Sequence, residues 1–97
     1  MRKIHKQVLA EQDIKDIWLY SFRKWGETQA DKYFDELTNA INAIPENPHI
    51  GIACDSIRKG YRQLHVNHHM VFYRVTPEKI TIVRVLGENM DYKRHIK

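Results

Sequence analysis

The stretch from Gly60 to Asp91, GYRQLHVNHHMVFYRVTPEKITIVRVLGENMD, carries three strand-like runs in succession and therefore demands one shared sheet. Val71, Phe72, Tyr73 and Val75, then Ile80, Ile82, Val83, Val85 and Leu86, are β-branched, aromatic or aliphatic, and Thr76-Pro77-Glu78 divides them as a turn. The pattern predicts strands over Tyr61–Val66, His69–Val75 and Lys79–Leu86. Strands joined by such short turns run antiparallel, and their apolar residues need cover from the rest of the chain.

That cover is legible upstream. Lys3 to Leu9 alternates and fits a first strand, at the edge of the sheet. From Ala10 the period changes: Ala10, Ile14, Ile17, Trp18, Ser21 and Trp25 fall on one helical face, with Asp13, Lys15, Asp16, Arg23 and Lys24 on its polar side. Gly26 stops this helix after two basic residues that suit its negative end. A second helix starts near Glu27-Thr28, with Asp31 as a capping partner, and runs to Ile44 with Ala30, Tyr33, Phe34, Leu37, Ala40 or Ile41, and Ile44 as its stripe. One glycine between two long helices implies an antiparallel hairpin, whose interface is expected to be led by Trp18, Trp25, Tyr33 and Phe34. Pro45 and Pro48 end the second helix. The connecting segment that follows is expected to be tied to the core by Ile50, Ile52 and Ile57. The order β-α-α-β-β-β gives an α+β fold, an antiparallel sheet with an N-terminal helical hairpin on one face and the other face left to find its own cover or meet a partner.

The 97 residues suffice for one domain, 1–97, with one small core, and a hydrophobic content of 42% argues for a folded chain. No apolar run approaches the roughly 20 residues that span a bilayer, and MRKIHKQVLA has no apolar targeting core, so a cytoplasmic protein is expected. Cys54, the single cysteine, reads as a small buried hydrophobe. Charge is uneven: residues 1–57 hold seven Lys/Arg against nine Asp/Glu, and residues 58–97 hold nine against three. The sheet half is thus basic, which suits nucleic acid or an acidic protein partner.

His65, His68 and His69 could in principle ligate zinc, but strand alternation turns successive side chains to opposite faces and no cysteine or carboxylate nearby completes a set. Turn and surface histidines are expected, with no metal and no cofactor. Arg62, Arg74 and Arg84 are stronger candidates, since strand-borne guanidiniums can grip phosphates or carboxylates. Arg84 is placed in parity with Ile82 and Leu86, on a face meant to be covered; pairing with a local acid such as Asp55 or Glu88 is the alternative. Glu88 and Asp91 lack a register that would make them converge, no serine or cysteine nucleophile has a partner set, and no phosphate-binding glycine loop exists.

Several short motifs occur in a fixed order: Ala10…Asp13-Ile14…Ile17-Trp18, Arg23-Lys24-Trp25-Gly26, Tyr33…Leu37, Glu46-Asn47-Pro48-His49-Ile50-Gly51, Arg58-Lys59-Gly60-Tyr61-Arg62, Val71-Phe72-Tyr73-Arg74, and Val83-Arg84-Val85-Leu86 with Met90-Asp91. In this order they resemble the RelE/ParE superfamily of bacterial type II toxins, and within it the ParE branch. The resemblance implies the same β-α-α-β-β-β layout. It also implies a growth-arresting toxin that binds and poisons DNA gyrase, neutralised by a ParD-like antitoxin in a hetero-oligomer that meets operator DNA only through the antitoxin. No catalytic residue is expected, and Arg62, Tyr73, Arg74, Arg84, Met90 and Asp91 are the candidates for target or antitoxin contact.

The RelE-like branch, which cuts messenger RNA on the ribosome, is the alternative. Its members commonly carry an arginine three residues before the tyrosine that aligns with Tyr73, and a basic residue or histidine after the last strand. This chain has Met70 and Gly87-Glu88 there. Methionine cannot stabilise a phosphorane, and glutamate repels phosphate. Many ParE-like chains also have a histidine near Gly87, so this position departs from both branches. Arg62, His69, Tyr73 and Arg84 keep a basic active face conceivable, and a third reading is a degenerate member serving only in a repressor complex. The outer face of the sheet is expected to receive an acidic amphipathic segment, and the tail Tyr92–Lys97 to be a mobile extension whose removal after Asp91 preserves folding and weakens target action.

Overall fold

In the computed structural model, which describes residues 2–96, strand β1 (Lys3–Lys6) leads into helices α1 (Val8–Trp25) and α2 (Glu27–Ala43) and a 3-10 turn at Ile44–Glu46. Strands β2 (Ile52–Ala53), β3 (Tyr61–Val66), β4 (His69–Val75) and β5 (Lys79–Gly87) follow, and a short helix α3 (Tyr92–His95) closes the chain. The spatial order is β1-β5-β4-β3-β2. The β3–β4–β5 meander has the expected antiparallel register, whereas β1 pairs in parallel with β5, from Lys3 opposite Lys79 to Lys6 opposite Ile82. The sheet is therefore mixed. No tight turn ties β1 to its neighbour, so the returning helical hairpin sets its direction. Strand β2 was not expected either: only Ile52 and Ala53 pair with β3, too short a run to show a period, and Ile50 and Ile52 remain exposed rather than anchoring the segment.

Gly26 joins the helices with φ 92° and ψ 174°, a conformation open essentially to glycine alone, and its amide still donates to Phe22 O. Residues buried along the hairpin are Ala10, Ile14, Ser21, Ala30, Leu37 and Ile41. Small side chains at three of these positions let the helices approach each other and the sheet closely. Two of the four expected aromatics consequently stay outside, Trp25 at 57% and Phe34 at 40% exposure, while Trp18 and Tyr33 are half-buried. Trp18 stacks on Phe22 along α1, with centroids 5.2 Å apart. Its indole Nε1 donates to Asp31, which thereby staples the helices together instead of capping α2.

The sheet is buried on both faces. Ala10, Ile14, Leu37, Ile41 and Ile44 meet Val71, Tyr73, Ile80, Ile82 and Val85 under the helices. On the reverse face Cys54, Tyr61, Phe72, Val83, Leu86 and Ile96 form a second cluster, with Ile57, Met70 and Tyr92 against it. Of the two outcomes expected for this face, own cover or a partner, the chain takes the first: its tail and the loop after β2 supply the cover. The tail is part of the fold rather than a loose extension: Asp91 caps α3 by accepting from the Lys93 amide, and Ile96 is buried. A β-bulge in β5 sets the register: Phe72 faces Arg84 whereas Tyr73 faces Ile82, so Val83 is extra. Ile82 and Val85 point to the helices, and Val83 and Leu86 to the reverse face. Arg84 thus does not share parity with both Ile82 and Leu86, because the bulge between them resets the alternation.

Candidate functional site

Three arginines converging on one face would have made a basic grip, and the register separates them. Arg62 lies opposite Tyr73, on the helix side of the sheet, while the next residue, Arg74, takes the other side opposite Tyr61. Arg62 turns inward: its Nε and Nη2 donate to Gly51 O at 3.0 and 2.6 Å, and Nη2 also to His49 O at 3.3 Å. Tyr73 is fully buried and exposes no atom for a partner. Its hydroxyl donates to Pro48 O at 2.7 Å and accepts from the Gly51 amide at 2.9 Å. Together Arg62 and Tyr73 hold the loop between the helices and β2. Gly51 is required there by close approach, as a Cβ would lie 2.7 Å from Gln63 O and 2.8 Å from the Tyr73 hydroxyl.

Arg84 is committed as well. Its Nε and Nη2 donate to the two Asp13 carboxylate oxygens at 2.7 and 2.8 Å, and Asp13 also accepts from the Val85 amide at 3.0 Å. Both side chains are largely buried, at 15% and 13% exposure. The fork-to-fork geometry fixes α1 on β5 and raises the guanidinium pKa further through the Asp13 hydrogen bonds. Arg84 Nη1 reaches His95 O at 3.2 Å, joining the tail to the same lock. Its acid is neither Asp55, which accepts from the Gly60 amide, nor Glu88. Asp13 was missed as a site residue because its partner lies 71 positions away and nothing local marks it.

Of the six candidate contact residues, Arg74, Met90 and Asp91 are exposed. Arg74 has no ion-pair partner among the described residues. Met90 places its sulfur 3.1 Å from the Gly87 amide, shaping the turn after β5.

The histidines gather at the opposite end of the meander from the β4–β5 turn. Asn67, with φ 53°, makes the β3–β4 turn. Glu88 then sits between His65 Nε2, at 2.9 Å, and His68 Nδ1, at 3.1 Å. Hydrogen bonds from His68 and His65 hold the Glu88 carboxyl below its ordinary pKa. The position that departs from both toxin branches therefore collects two imidazoles. His69 turns the other way, and its Nδ1 is hydrogen-bonded to the Tyr33 hydroxyl. Burial, then His68, pushes the His69 pKa down and favours the neutral ring, while burial raises that of Tyr33. Met70, opposite Leu86, packs against the reverse-face cluster and offers no charge. Among the described residues no cluster of three His, Cys, Asp or Glu side chains suits a metal ion.

Comparison with known proteins places this arrangement. The chain is 46% identical over 88 residues to Toxin ParE1 of Mycobacterium tuberculosis, covering 90% of each chain. It is 40% identical over 87 residues to Toxin ParE1 of Caulobacter vibrioides, again covering 90% of each. Its fold superimposes on a chain of the chromosomal ParDE system from P. aeruginosa with a TM-score of 0.79 at 19% identity, covering 90% of this chain and 96% of that one. A YoeB dimer from Staphylococcus aureus gives 0.64 at 20% identity, covering 88% and 94%. The family model described as "ParE toxin of type II toxin-antitoxin system, parDE" matches residues 5–92. The chain belongs to the ParE family of type II toxin–antitoxin toxins.

Proposed function

We propose that this chain, acting as one toxin domain over 1–97 in the cytoplasm, arrests growth by binding and poisoning DNA gyrase without catalysing a reaction, and that a ParD-like antitoxin neutralises it in a hetero-oligomer. The observation that carries the reading is the family match over residues 5–92. A relative's solved structure described as a chromosomal ParDE system supports the antitoxin pairing. The commitment of the arginines supports a non-catalytic role: Arg84 is neutralised by Asp13, Arg62 is spent on backbone carbonyls, and Met70 is apolar, so among the described residues these positions assemble no cationic set to stabilise a phosphorane. In this reading Arg74 and Met90 contact the target or antitoxin directly, and Arg62, Tyr73, Arg84 and Asp91 hold the elements that present them.

The RelE-type ribonuclease reading retains one specific support, the Tyr33–His69 pair with a neutral imidazole. Induced expression in cells separates the two. Gyrase poisoning predicts double-strand DNA breaks, intact transcripts, rescue by a co-expressed ParD-like antitoxin, and weakened arrest in Arg74→Ala at unchanged protein level. Codon-specific cuts in ribosome-bound transcripts, abolished by His69→Gln, would favour the other reading.

A further inference from the structure

A cavity of about 710 Å³ opens between the second half of α1, α2 and the β3–β4 turn. This is within the roughly 300–1,000 Å³ range of small-molecule sites. None of the residues of the arginine lock, Asp13, Arg62 or Arg84, lines it. Tyr20, Trp25 and Tyr33 supply aromatic walls, and Glu36, Asn67 and His69 add polar groups.

Its chemistry is one-sided. Tyr20 and Trp25 meet edge to face, 82° apart with centroids at 6.1 Å, which presents two nearly perpendicular ring walls. Their faces already take a cation within the chain, since Lys24 Nζ lies 5.0 Å from the Trp25 centroid and 5.5 Å from that of Tyr20. Tyr33 spends its hydroxyl on His69 and Val66 O, so its remaining contribution is the ring. Glu36 is held by Asn67 Nδ2 at 2.5 Å, which fixes a carboxylate at the rim. Tyr33 senses both Glu36 and Glu88 as negative neighbours. His69 is kept neutral by burial, and His68, the imidazole beside it, is engaged with Glu88. Aromatic faces beside a positioned carboxylate favour a cation, which takes the rings of Tyr20 and Trp25 in place of the Lys24 ammonium, whereas an anion gains nothing from the rings and is repelled by Glu36.

We propose that this cavity binds a small organic cation of the quaternary-ammonium class, seated among the rings of Tyr20, Trp25 and Tyr33 with Glu36 as its counter-charge. The site is independent of the gyrase reading and stands or falls by itself.

Choline and its uncharged analogue of the same shape, 3,3-dimethyl-1-butanol, are the probes. In Trp18→Phe the remaining indole is Trp25, so its fluorescence reports on the cavity, with sodium chloride matched throughout. Saturable quenching by choline is expected, with the neutral analogue at least about fivefold weaker, the equivalent of one cation–π contact. Glu36→Gln, which keeps an acceptor for Asn67, should weaken choline about threefold, as for an exposed ion pair. Saturation-transfer NMR on the unmodified chain repeats the choline comparison without any substitution, and circular dichroism checks that each variant is folded. Equal binding of the charged and uncharged probes would overturn the proposal and leave an apolar groove. Absence of saturable binding in both measurements would overturn it as well.

Discussion

Removing the Arg84 guanidinium would leave the Asp13 carboxylate, 13% exposed, with the Val85 amide as its remaining donor. Stranding a buried charge is more damaging than losing a pair outright. Arg84→Ala is therefore expected to lose about 3 kcal/mol in urea unfolding; a loss near zero would mean that water reaches Asp13 freely. Gly51→Ala acts by collision, because the new methyl group would stand 2.7 Å from the Gln63 carbonyl, which the sheet holds fixed. A loss of about 1–3 kcal/mol is expected, and wild-type stability would show that the loop yields without effect. His69 gives the pH dependence. Burial depresses its pKa below the ordinary 6.5, so the unfolded chain takes up its proton first as pH falls. Its contribution is complete above 6.5 and declines as pH drops from there towards the depressed folded value. Denaturation at a series of pH values should show this decline in the wild type and a shallower one in His69→Gln; identical slopes would remove His69 from the account of acid sensitivity.

Among the elements, the three long strands were legible because each combines a strong period with short turns, and β3 and β4 coincide with the expected ranges. The helices were equally legible, but their interface was not. Periodicity shows which residues share a face, and it cannot show that Ala10, Ser21 and Ala30 draw the helices so close that Trp25 and Phe34 are left outside. Strand β2 is too short to declare itself, and the β5 bulge leaves no mark in the alternation that a regular strand would not also permit. For the candidate site, the arginines were visible as residue types. Their partners were not, because Asp13, His49 and Gly51 reach them only through tertiary structure. The tail makes the sharpest contrast, since charge and position hid the role of Ile96 and Tyr92 in closing the reverse face. Truncation after Asp91 should expose Phe72, Val83 and Leu86 and lower stability by about 3 kcal/mol, the worth of one or two buried apolar side chains. Unchanged thermal unfolding of the truncated chain would show that α3 adds no closure.

Taken together, the chain presents a sheet sealed on both faces, a basic second half and an aromatic outer surface on its helical hairpin. Residues 58–97 carry nine basic side chains against three acidic ones, a balance suited to an acidic partner segment. In the reading proposed above, the toxin acts by occupying its target, with the fold serving to present surface rather than to assemble reacting groups. No helix among the described residues is long and apolar enough to cross a membrane. The most direct measurement is a cleavage assay with purified chain, DNA gyrase, supercoiled DNA and ATP, in which trapped enzyme is denatured and linear DNA is quantified. Gyrase poisoning predicts that linear DNA rises with the amount of chain added, and that it returns to baseline when a ParD-like antitoxin is present in excess. Unaltered supercoiling and no linear DNA, from a folded chain that still arrests growth, would contradict it.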